Sequence, residues 1–188
     1  MDVVHTDLKP GNILINADSD LQICDLGRAF IDLPGYRRVY DAEHIKKHKL
    51  RYGTSTYRAP EVFLGYFDFG KPMDVWALGL VCLEMVTLVP FFKNGSDADM
   101  LRQIFDAVGK APHHTQLFFL QNLPKWREGL VPEVPSGSLL ACMKRHLCKE
   151  AVDWLRPMFT ISPGPRQTMD DAARMLRPLA SLFDTCLA

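Results

Sequence analysis

From Val75 to Phe92 the chain runs 18 residues in which Glu84 is the only charge. That length raises the question of a membrane span. Glu84 falls mid-segment and Pro90 breaks the far end, so the run reads instead as a helix apolar all round and buried at the centre of a compact domain. The rest of a 188-residue chain then has to pack around it, which is the size of one ordinary globular domain with one core.

The elements around that helix are mostly helical. Ile13 to Ile15 and Leu21 to Cys24 flank the turn-forming Asn16-Ala17-Asp18-Ser19-Asp20 and read as a small hairpin. A loop-rich stretch follows from Gly27 to Gly53, basic toward its end between Lys46 and Arg51, a run that reads as a solvated loop face. The apolar helix opens near Pro72, and a second is introduced by Ser96 with Asp99 as its capping-box partner. Six prolines and glycines between Pro112 and Ser138 (Pro112, Pro124, Gly129, Pro132, Pro135, Gly137) predict a long excursion with little regular structure. Two helices close the chain, one over roughly Lys149 to Phe159 and one from Thr168, with Asp171 as box partner and Ala172, Met175, Leu176, Leu179 and Phe183 at helical spacing. The fold class is mainly α with a minor β part (α+β).

Twenty-two basic residues balance 22 acidic ones, so no net field draws the protein to nucleic acid or to a membrane surface, and neither is expected as a partner. The five cysteines (Cys24, Cys82, Cys142, Cys148, Cys186) are scattered without a Cys-x-x-Cys pair, and the first residues form no apolar signal; both fit reduced thiols in a cytoplasmic or nuclear protein. His113, His114 and His146 have no carboxylate or cysteine at ligand spacing around the pair and read as loop and surface residues. Phe118, Phe119, Met143, Met158 and Phe159 read as core.

Chemistry is concentrated at the start. Val3-Val4-His5-Thr6-Asp7-Leu8-Lys9-Pro10-Gly11-Asn12-Ile13-Leu14-Ile15 places a base, a cation and a metal ligand at fixed offsets. Asp25-Leu26-Gly27 follows directly after the expected hairpin, and then come Gly53-Thr54-Ser55-Thr56-Tyr57-Arg58-Ala59-Pro60-Glu61, Asp74-Val75-Trp76-Ala77-Leu78-Gly79 and an isolated Arg166. Taken in this order, the motifs resemble the large lobe of a serine/threonine protein kinase. Arg58 after Tyr57, the Gly109 to Pro112 turn and Leu123-Pro124-Lys125-Trp126 further resemble the group holding cyclin-dependent and mitogen-activated kinases.

The resemblance implies a catalytic loop at 5–12, a magnesium motif at 25–27, an activation segment at 25–61 and a helical subdomain at 62–183. It implies that Asp7 orients the substrate hydroxyl and takes its proton, that Lys9 neutralises the transferring phosphoryl group, and that Asn12 and Asp25 hold Mg2+ against ATP. His5 supports the loop and Thr54 bonds toward Asp7 and Lys9. Asp74 ties down the loop backbone, Glu61 pairs with Arg166, and Arg58 belongs to the substrate site. Lys9 in Asp-Leu-Lys-Pro is the serine/threonine form. The implied partners are protein substrates, with a regulatory subunit left open.

The sequence departs from the family pattern in three ways. Thr6 stands where kinases usually have the arginine that pairs with a phosphorylated activation segment. No serine or threonine lies between Arg28 and Gly53, so that segment is not expected to be switched by serine/threonine phosphorylation. Neither a Gly-x-Gly-x-x-Gly loop nor a Val-Ala-x-Lys strand precedes the catalytic loop, so the resemblance covers the large lobe, with the small lobe and the first large-lobe helices absent. Without that roof, this stretch alone is expected to transfer phosphoryl groups poorly. The alternative reading is a kinase-derived binding or scaffold module without catalysis.

Overall fold

The computed structural model describes residues 3–32, 52–66, 70–109 and 114–175. Its first part is a pair of two-stranded antiparallel ribbons: β1 (Val3–Val4) pairs with β4 (Phe30–Ile31), and β2 (Ile13–Ile15) pairs with β3 (Leu21–Ile23). The second ribbon is the expected hairpin, with Ile13 opposite Ile23 and Ile15 opposite Leu21. Its turn is built by Asn16, whose side-chain oxygen accepts from the amides of Asp18 and Asp20 at 3.0 and 2.8 Å, an Asx arrangement. β4 falls inside the stretch expected to be loop, and a 3-10 turn at Leu26–Arg28 runs into its start. Two residues of strand are too short to show as alternation in sequence. The basic cluster from Lys46 to Arg51 lies outside the described residues.

Helices supply the rest: α1 (Pro60–Phe63), α2 (Lys71–Thr87), α3 (Asp97–Val108), α4 (His114–Gln121), α5 (Ser138–His146), α6 (Lys149–Leu155), and a final helical stretch described over 169–175. The apolar run is α2, and it is central as expected: Met73, Val75, Trp76, Leu80, Val81 and Leu83 are all buried. No helix among the described residues is long and apolar enough to cross a membrane. Its end is different, because Met85 and the following Leu88 are 71% and 84% exposed. Leu88 closes the helix in a left-handed conformation (φ 62°) that favours glycine. The lone charge of the run is satisfied, since the Tyr57 hydroxyl donates to Glu84 Oε2 at 2.6 Å.

Gly79 is the point of closest approach in the core. A Cβ there would stand 2.9 Å from Phe159 Cζ and 3.2 Å from Met158 Cβ, while the Phe159 ring meets Trp76 edge-on at 5.4 Å. Gly79→Val is expected to force the Phe159 ring aside at a cost of about 1–3 kcal/mol, seen as a thermal midpoint lower by roughly 2–12 °C.

The capping box at Ser96 is present: the Asp99 amide donates to Ser96 Oγ, and the Ser96 amide to Asp99 Oδ2, both at 3.2 Å. The excursion after α3 is more ordered than its prolines and glycines predict. It contains α4, whose Leu120 is fully buried and whose Phe119 ring meets Tyr66 edge-on at 5.1 Å. Phe118, expected in the core, is 70% exposed instead, while Leu120 two residues on is the one buried. α5 follows, anchored by Leu139 and Met143 one turn apart. α6 continues into a 3-10 turn at Arg156–Phe159, within the expected bounds, and Thr168 caps the last helix through the Asp171 amide at 3.1 Å.

Candidate active site

The site forms where the 5–12 loop crosses the start of α2 and meets the 52–61 segment. Asp74, in the first turn of α2, accepts the His5 amide on Oδ2 (2.6 Å) and the Thr6 amide on Oδ1 (2.9 Å). Burial pushes its carboxyl up, and the two amides pull it back part of the way. This clamp fixes the backbone just before Asp7 and holds Thr6 in a left-handed conformation (φ 71°). A non-glycine residue adopts that conformation at a cost when its surroundings over-determine it. Thr6 is 2% exposed, its hydroxyl 3.4 Å from the Arg28 carbonyl, so the position offers no cation to a phosphate.

His5 braces the loop from below. Its Nδ1 accepts the Asp7 amide (3.2 Å) and its Nε2 lies 2.8 Å from the Cys24 carbonyl; a proton on Nε2 satisfies both contacts. The Cys24 amide in turn donates to the Asn12 carbonyl at 3.0 Å, so the end of β3 is tied to the loop twice. Asp25, next in the chain, is thereby held beside Asn12, exposed and in a left-handed conformation (φ 64°).

The reactive groups converge on Asp7. Its Oδ1 accepts the amide and the hydroxyl of Thr54, each at 2.7 Å, and its Oδ2 accepts Lys9 Nζ at 3.0 Å. Lys9 Nζ also donates to Thr54 Oγ1 at 3.2 Å. Burial raises the Asp7 carboxyl, but the Thr54 hydroxyl, the Lys9 ammonium and the Thr54 amide outweigh it and hold Asp7 below its ordinary value. The side chain remains 13% exposed, leaving an edge for an incoming hydroxyl. Gly53 makes this approach feasible, since at φ +76° its missing Cβ would stand 3.1 Å from the Thr6 carbonyl.

Asn12 has one end engaged. Its Nδ2 donates to the Asp7 carbonyl at 2.8 Å, which turns Oδ1 into the available acceptor. A carboxamide oxygen and an exposed carboxylate on adjacent backbone suit a hard cation that completes its shell with phosphate oxygens and water. No group of three or more acidic, histidine or cysteine residues able to hold a metal occurs among the described residues.

Glu61 and Arg166 meet as expected, in a fully buried fork of two 2.8 Å bonds. Arg166 also donates to the carbonyls of Pro72 (2.8 Å), Thr160 (2.9 Å) and Ile161 (3.0 Å). It thus joins the end of the segment, the start of α2 and the loop after α6. Arg58 is placed differently from the other site residues: its guanidinium donates to the Tyr52 and Gly53 carbonyls at 2.7 and 2.8 Å, pairs with Asp97 at 3.6 Å and covers Phe63. These contacts shape the segment from within. The Tyr57–Glu84 tie is a further brace that the motifs did not flag. A lone carboxylate in an apolar helix beside a tyrosine-bearing turn was its available signal.

The family model for the protein kinase domain matches residues 1–176. The mitogen-activated protein kinase SLT2/MPK1 of Saccharomyces cerevisiae is 34% identical over 91% of this chain and 34% of its own length. The mitogen-activated protein kinase MKC1 of Candida albicans is 32% identical over 91% of this chain and 33% of its own. A chain of the CAK complex of Chaetomium thermophilum bound to ATP-gamma-S superposes with a TM-score of 0.76 at 27% identity, over 93% of this chain and 52% of that one. The chain spans about a third of the length of the curated relatives it matches.

Proposed function

The chain belongs to the protein kinase family, and from that premise we propose that its site transfers the γ-phosphoryl group of magnesium-bound ATP to serine or threonine hydroxyls of protein substrates. The mitogen-activated relatives and the CAK neighbour support the serine/threonine reading. The observation that carries it is Asp7, ionised, fixed on one oxygen by Thr54 and presented beside the Lys9 ammonium. A kinase needs this arrangement: a carboxylate that orients a hydroxyl and a cation where charge develops.

Asn12 and Asp25 fit as the residues holding the nucleotide's Mg2+, which supplies charge neutralisation at the phosphates. Asp7 positions the acceptor hydroxyl and receives its proton. Lys9, held 3.0 Å from the carboxylate, would neutralise charge on the transferring phosphoryl group, and Thr54 bonds to both side chains. Protein substrates approach along the 52–61 segment, whose shape Arg58 and the Glu61–Arg166 pair maintain. A regulatory subunit fits this reading as well, and the buried Thr6 supports control by a means other than phosphate pairing at that position.

One test follows from the depressed Asp7 carboxyl. A group held below its ordinary value stays ionised until the pH falls through its lowered folded value. Thr54→Val removes the hydroxyl that contributes most to the lowering, so the acid limb of kcat/KM should move to higher pH in the full native protein. An unmoved limb would separate Thr54 from the ionisation of Asp7.

A further inference from the structure

At the neck of the excursion between α3 and α5, Ser136 is tied to Asp106. The Ser136 amide donates to Asp106 Oδ1 at 2.9 Å, and its hydroxyl lies 2.6 Å from Asp106 Oδ2 and 3.2 Å from the Asp106 carbonyl. That carbonyl also accepts the Gly137 amide at 3.0 Å. The two backbones cross as glycines: Gly109 (φ +71°) and Gly137 (φ +63°) lie so close that a Cβ on Gly109 would stand 2.4 Å from Gly137 Cα. With no side chain to interlock there, the Ser136–Asp106 bonds and the Gly137 amide tie the crossing, beside the packing of α5 on α3 through the buried Ile104, Phe105, Leu139 and Met143. Ser136 is exposed.

We propose that Ser136 is a phosphorylation site whose modification opens this neck. A protein kinase acting in trans would move the γ-phosphoryl group of a nucleoside triphosphate onto Ser136 Oγ. The new O–P bond forms as the bond to the bridging oxygen breaks; the nucleoside diphosphate leaves and the hydroxyl proton passes to that kinase's base. The ester oxygen then has no hydrogen to give Asp106, and a charge of about −1.5 to −2 lies against a carboxylate. The Ser138 amide at the start of α5, already 3.3 Å from Ser136 Oγ, offers the phosphate another partner.

Opening would reach the kinase site through the middle of the excursion. The Lys125 amide donates to the Leu64 carbonyl at 3.0 Å, its Nζ pairs with Asp97 at 3.4 Å, and the same Asp97 pairs with Arg58. Trp126 meets Phe105 edge-on at 5.9 Å. A loosened neck removes one tie on the loop bearing Lys125 and Trp126, and so weakens one support of the segment that Arg58 shapes.

The test is amide hydrogen exchange on the full native chain with phosphoserine installed at 136. The Ser136 and Gly137 amides should exchange roughly tenfold faster than in the unmodified chain. Asp106→Asn in the phosphorylated chain should return most of the protection, because a carboxamide can donate to the phosphate. Unchanged exchange on phosphorylation, or a rise that Asp106→Asn leaves in place, would overturn the mechanism. Occupancy is read from the tryptic peptide 128–144 of the native protein purified with phosphatases inhibited. Phosphate on Ser136 supports the site, and a peptide always unmodified there overturns it.

Discussion

Replacing Asp7 by asparagine in the full native protein is expected to lower kcat for phosphoryl transfer by about 10²–10⁴-fold, the usual contribution of a positioned base, with the KM for ATP little changed. The carboxamide is nearly isosteric and its oxygen can still accept from Thr54, which donates to Asp7 through both amide and hydroxyl. What is lost is the charge that pairs with Lys9 and the basicity that receives the hydroxyl proton. Steady-state kinetics at saturating Mg-ATP measures this. A kcat within about threefold of wild type would show that Asp7 is not the base, since a base contributes far more than that.

The second large effect concerns the fold. Arg166→Ala leaves Glu61 fully buried with its partner gone and strips donors from the carbonyls of Pro72, Thr160 and Ile161. Removing one side of a buried ion pair costs about 3–5 kcal/mol, because the remaining charge is uncompensated. For a domain of this size that lowers the thermal midpoint by roughly 6–20 °C. Glu61→Ala should cost a similar amount, and the double variant Glu61→Ala/Arg166→Ala less than the sum, since neither charge is then left alone. Calorimetry of the three variants reads this, and additive shifts would mean that the pair is not energetically coupled.

The two predictions draw on residues whose meaning was legible in different degrees. Asp7, Lys9, Asn12 and Thr54 are legible only through the resemblance of the motifs that carry them, and the structure brings Asp7, Lys9 and Thr54 into hydrogen-bond contact. Glu61 and Arg166 lie 105 residues apart, and only the resemblance joined them; no periodicity or propensity reaches that far. The central helix was plain from its unbroken apolar run, yet its bare end at Met85 and Leu88 was not, because burial depends on what packs against a helix as well as on its own residues.

The excursion shows the opposite failure. Its prolines and glycines outweigh the short apolar run that forms α4, and α5, which begins at its last residue, has no expectation in the sequence reading. Leu139 and Met143, four apart and both buried, were the available helical signal. The motif around Arg58 gives no sign of its contacts: the guanidinium is bound by two carbonyls and Asp97 and lies over Phe63. A long cation satisfies whatever acceptors the fold brings near, and sequence spacing does not reveal them. The Ser136–Asp106 neck is of the same kind, closing 30 residues with two ordinary polar side chains.

The central claim is that this site performs phosphoryl transfer to serine and threonine. The most direct measurement is phosphoamino-acid analysis of a protein mixture incubated with the purified full native protein, Mg2+ and γ-labelled ATP, beside the same protein carrying Asp7→Asn. The account predicts label on phosphoserine and phosphothreonine with wild type and almost none with the variant. Equal labelling by both, or none by wild type with Mg-ATP in excess, would contradict it.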